Sequence, residues 1–153
     1  MLHNKFLIAK EHLQCAINLF LDGNYFSALT LAGASEEILA KFMKEYLSKE
    51  PAFRQIIPLI NSKVFPEYDE KYVINKINTT KNAVKHPDNA NREFEPAVTC
   101  HIKEEAMVLI VRALSNYRSF PECDSDNLAN ITEFYRIVDS DPLMHINVNA
   151  SLM

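Results

Sequence analysis

Residues 24–48, NYFSALTLAGASEEILAKFMKEYLS, decide how this chain folds. Tyr25, Phe26, Ala28, Leu29, Leu31, Ala32, Ala34, Ile38, Leu39, Phe42 and Tyr46 make this helix the most apolar stretch of the chain. Residues 28–34 are apolar on every side except at Thr30. A helix that is apolar all round needs neighbours on more than one face, so this one belongs at the centre of the molecule. Ala28, Ala32, Gly33, Ala34, Ser35 and Ala40 are small and let other helices come close. Glu36 and Glu37 lie in this otherwise apolar helix, and carboxylates in such a setting need partners. A lysine or a backbone group would serve. Glu36 falls on the side of Ala32, Gly33 and Ala40, where it can also reach an interface or a cleft.

On the N-terminal side, residues 3–22 carry Phe6, Leu13, Ile17, Phe20 and Leu21 at helical spacing, with polar residues between them. Asp22-Gly23-Asn24 is a turn signal, and Gly23 suits a left-handed position after a helix end. The two helices should form an antiparallel hairpin. On the C-terminal side, Pro51 opens a short helix over 52–62 that Pro58 interrupts. A fourth helix is predicted over 69–85, stopped before Pro87. Residues 87–95, PDNANREFE, are a loop. A fifth helix is predicted over 96–119, with Val98, Ile102, Met107, Leu109, Ile110, Ala113, Leu114 and Tyr117 as its apolar stripe. A sixth is predicted over 126–139, capped by Asp124-Ser125-Asp126. No segment alternates long enough to require a strand. The expected fold is all-α: an antiparallel four-helix up-and-down bundle with a short extra helix and a C-terminal helix. It spans residues 1–140 as one domain, and 141–153 form a tail.

The composition agrees with a globular domain of 153 residues, 48% hydrophobic and 24% charged. No apolar run approaches the ~20 residues that cross a bilayer, so no membrane role is expected. Residues 1–10 lack the pattern of a signal peptide. With a net charge of −4, a nucleic-acid role has to rest on a local patch, and nothing points to DNA in particular. Three widely spaced cysteines, Cys15, Cys100 and Cys123, suit a reducing compartment such as a cytoplasm. His12-x-x-Cys15 and Cys100-His101 lack a second half at ligand spacing, so no metal and no cofactor are expected. Two glycines exclude a phosphate loop and a dinucleotide fingerprint. Ser35 has no obvious base beside it.

The chemistry concentrates at the end of the fourth helix, Lys81-Asn82-Ala83-Val84-Lys85-His86-Pro87. At ~100° per residue, Val73, Ile77, Thr80 and Val84 face the core. Asn75, Asn78, Asn82 and His86 gather on the opposite side with Lys85, and Lys81 lies on the flank. Asparagine is a poor helix former, so a face built from it is unusual. His86 also fits an ordinary helix C-terminus, where an imidazolium meets the negative end of the dipole.

Asn82-x-x-x-His86 with a basic residue at 81 resembles the signature of the HEPN superfamily, whose pattern has Arg where this chain has Lys81. The small-residue second helix and the order of hairpin, motif helix and long helix are also similar, over residues of about 3–120. The resemblance implies an all-α, often dimeric domain that binds RNA or a partner protein through a composite cleft formed by two motifs. In active members it implies a metal-independent endoribonuclease, of toxin or defence type. Carried over, His86 is the general acid/base, Asn82 the orienting amide and Lys81 the phosphate contact, with Lys85 and Asn78 as further RNA contacts. Lysine lacks the planar bidentate fork of arginine, so Lys81 holds a phosphate as a point charge.

Overall fold

The computed structural model describes residues 1–55, 57, 67, 69–89 and 91–141, except for the side chain of Val73. It is an all-α bundle. Among the described residues the only β pairing is an isolated bridge between Asp88 and Phe94. The helices are α1 (Lys5–Leu21), α2 (Tyr25–Phe42), α3 (Glu70–Ile77), α4 (Thr79–Lys85), α5 (Ile102–Arg118) and α6 (Ile131–Ser140).

Asn4 caps α1 by accepting the Phe6 N–H at 2.8 Å. The other end closes as the Gly23 reading requires. Gly23 has a φ of 81°, its N–H donates to Phe20 O, and the Asn24 N–H reaches Leu19 O at 2.8 Å. The chain then turns straight into α2. This helix continues beyond Phe42 as one wider π turn, Met43–Leu47, and stops at Ser48 in the left-handed region. Residues 52–55 are helical, started by the Ala52 N–H donating to Asn116 Oδ1 at 2.9 Å. The rest of the expected short helix, at 56 and 58–62, lies outside the described residues, as do residues 142–153 of the expected tail.

The α2 helix is central. It packs on α1 along one side, on α5 along another and on α4 along a third. The core is Leu13, Ile17 and Phe20 of α1, Leu29 and Leu39 of α2, Met107, Ile110, Leu114 and Tyr117 of α5, and Phe134 of α6. Ser35 is buried where α1 and α2 approach, and its hydroxyl donates to Ala9 O at 2.8 Å, so this serine ties two helices together. The chain directions follow from side-chain pairs. Phe6, at the start of α1, meets Phe42 at the end of α2 and Tyr117 at the end of α5. Lys81 and Lys85 of α4 meet Glu37 of α2, and His86 shares a groove with Phe26 at the start of α2. Thus α2 and α5 run against α1 and α4.

The observed helices differ from the expected ones in three places. The fourth helix is two, broken at Asn78, whose φ of −94° and ψ of 1° end α3 and start α4. The fifth starts at Ile102 rather than at 96, and Val98 is exposed. Pro96, Val98 and Thr99 are poor helix formers, and the first turn forms only where Glu105 Oε1 accepts the His101 N–H. The sixth starts at Ile131; residues 125–127 make only a 3₁₀ turn, and Asn130 at a φ of 62° redirects the chain. Gln14 then pairs with both backbone groups of Ala129, and Phe134 stacks edge-on against Phe20 at 5.4 Å, which docks α6 on α1.

Candidate functional site

His86 ends α4 in an extended conformation, with φ of −124° and ψ of 137°, which suits a residue before proline. His86 and Asn82 are both exposed, one helical turn apart. The surface groove beside His86 has a volume of about 550 Å³ and is lined by Lys85, Pro87, Phe26, Phe94 and Val98. Phe94 is 74% exposed and Phe26 49%. The sequence-predicted residues Asn82 and His86 are thus both exposed; His86 and Lys85 line the groove, and Asn82 is not among its lining residues.

Lys81 is placed elsewhere. Its side chain is only 11% exposed, and its ammonium lies 2.9 Å from Glu37 Oε1 and 3.7 Å from Glu36 Oε2. The stem runs over Gly33 so closely that a Cβ there would sit 2.9 Å from Lys81 Cδ. This close approach explains the glycine in the middle of α2. Lys85 Nζ reaches the same Glu37 oxygen at 3.5 Å. Both lysines expected on phosphate are thus engaged with carboxylates of α2. Asn78, expected on the outward face, sits at the break, where its Oδ1 is buried without a hydrogen-bond partner among the described residues.

The residue that sequence reasoning missed is Arg112. It is buried in α5, and its Nε donates to Glu36 Oε1 at 2.9 Å while Nη2 contacts the same oxygen. Its guanidinium also stacks over Phe53, 4.2 Å from the ring centre. Burial draws the Arg112 guanidinium below its ordinary pKa, and the charge and hydrogen bonds of Glu36 work against that shift. Glu36 hence uses one oxygen for Arg112 and the other for Lys81. For Glu37, partial burial raises the pKa, but the hydrogen bonds and charges of Lys81 and Lys85 outweigh it and hold the carboxyl below its usual 4.5. The signal for Arg112 in the sequence is faint. It shares a face of α5 with Leu109, Ala113 and Asn116, an odd place for a cation, but Glu36 is 76 residues away.

Two clefts flank Lys81. One, of about 420 Å³, is lined by residues of α3, α4 and α5, including Lys76, Thr80, Glu105 and Arg112. The other, of about 320 Å³, lies toward α2 and residues 51–54 and includes Asn78, Lys41 and Arg54. The described residues gather no three His, Cys, Asp or Glu side chains able to hold a metal ion, and Cys15, Cys100 and Cys123 are free thiols. No helix of the described residues is long and apolar enough to cross a membrane. No family model, curated protein or solved structure matches the chain.

Proposed function

We propose that this chain is a HEPN-like interaction module that pairs with a second copy across the His86 face. The composite surface, with Asn82, Lys85 and His86 from each copy, then binds RNA or a cognate protein. One contrast carries this reading. Lys81, which nuclease chemistry would need beside a phosphate, is tied to Glu36 and Glu37, while Asn82 is exposed and His86 lies open in a groove with the exposed Phe26, Phe94 and Val98. Exposed apolar side chains around His86 favour a protein-covered surface.

A metal-independent endoribonuclease is the second reading, favoured by the exposure of both Asn82 and His86. In it His86 moves the proton of the 2′-hydroxyl or of the leaving oxygen, and Asn82 orients the group. Lys85, at the groove edge, is then the cation nearest to hand.

Two measurements separate the readings. Sedimentation of the purified chain should give a dimer that Phe94→Glu converts to monomer, and incubation with RNA in EDTA should leave the RNA intact. A monomeric wild-type chain overturns the paired surface. RNA cleavage that His86→Ala abolishes establishes the nuclease instead.

A further inference from the structure

The motif helix is attached to the bundle in an unusual way. Of α3 and α4, Thr80 alone is buried among the described residues, and Val84 is partly buried against the core. Clefts of about 420 and 320 Å³ lie on either side of Lys81. Besides the Lys81 stem on Gly33 and the partly buried Val84, what holds α4 to the bundle between these clefts is charge. Glu36 joins Arg112 of α5 to Lys81 of α4, and Glu37 gathers Lys81 and Lys85. By contrast, α1, α2 and α5 share a continuous apolar core. The geometry points to an electrostatic latch: α4, with the Asn82–His86 face, opens from the bundle as a separate unit, and the Glu37–Lys81–Lys85 contacts set how often it does so.

The physical grounds are differences in local stability. Segments with few buried apolar contacts open at lower free energy than the core, without global unfolding. The two halves of the latch are unequal. Glu36 and Arg112 are buried and the Lys81 side chain is mostly covered, so salt screens them weakly; Glu37 is half exposed and screened more. The buried half fixes where Lys81 returns, through the groove that Gly33 leaves for its stem. The exposed half is the part that solution conditions or an arriving ligand can release. The consequence for ligand binding rests on the proposed role of the His86 face, whereas the latch itself does not.

Amide hydrogen exchange of the full-length chain tests it directly. In Glu37→Gln, which leaves the buried Glu36–Arg112 pair intact, amides of residues 79–85 should exchange about tenfold faster while those of α5 stay unchanged. Raising NaCl from roughly 0.05 to 1 M should accelerate the same amides in the wild-type chain and have a smaller effect in Glu37→Gln. Lys81→Met, which keeps an apolar stem over Gly33, should go further than Glu37→Gln, and Lys10→Met should change nothing at α4. If residues 79–85 exchange only with α5, or if neither salt nor Glu37→Gln alters them, the latch is wrong. A dimer by sedimentation alongside unaltered exchange would leave the proposed function standing and remove the latch alone.

Discussion

Lys81 meets its carboxylates because the residues opposite it leave room and charge for it. Gly33 provides the space, and Glu36 and Glu37 provide the charge. Residue type matters here as well as position. A lysine stem is slim enough to lie on a bare glycine, and its compact ammonium can sit near two carboxylates at once. At the same scale Glu36 is the hinge of the network, because both of its oxygens are in use. Breaking a buried pair by removing one partner is costly, since it leaves the other charge without compensation. Glu36→Ala should therefore lower unfolding stability by about 3–5 kcal/mol, read by urea denaturation. Replacing Glu36 and Arg112 together, as Glu36→Leu with Arg112→Met, should cost much less, because the guanidinium leaves with its carboxylate and Lys81 keeps Glu37.

Among the elements, α1 and α2 owe their hairpin to backbone chemistry at one position. Gly23 has a φ of 81°, and a Cβ there would meet no atom within 4 Å. A substitution therefore costs backbone strain and nothing else. Gly23→Ala should destabilise by about 1 kcal/mol, seen as a lower urea midpoint with an unchanged slope. The motif helix differs in kind. Its seven residues are too few to be stable alone, so α4 takes its place from what it docks on. Asn78, which interrupts the run from α3, hands its carbonyl to the Asn82 N–H at 3.0 Å and so begins α4 anew.

For the whole molecule, the charge network links stability to acidity. Glu37 titrates below its usual 4.5 in the folded chain, so the folded state binds fewer protons than the unfolded one in that range. Its contribution is fully present above pH 4.5 and is lost as pH falls through the depressed value. The side chain is about half exposed, so solvent screening keeps the effect small. Thermal unfolding from neutral pH down to below 4.5 should show the wild-type chain losing more stability than Glu37→Gln. Equal losses would mean that Glu37 gains nothing from its lysines.

The sequence by itself determined the all-α class, the central place of α2, the Gly23 turn, and the outward placing of Asn82 and of His86. These follow from local rules: apolar period, turn chemistry, and which side of one helix a residue occupies. It also showed that Glu36 and Glu37 needed partners. The tertiary structure decided which partners they have. Arg112 and Glu36 are 76 residues apart, and no periodicity within one helix can pair them. The same holds for Lys81. On its own helix it lies on the flank, free to serve a ligand; only the packing of α4 against Gly33, Glu36 and Glu37 assigns it to the protein. A helix pattern states which way a side chain points, and the charge that meets it is fixed only when a second helix arrives.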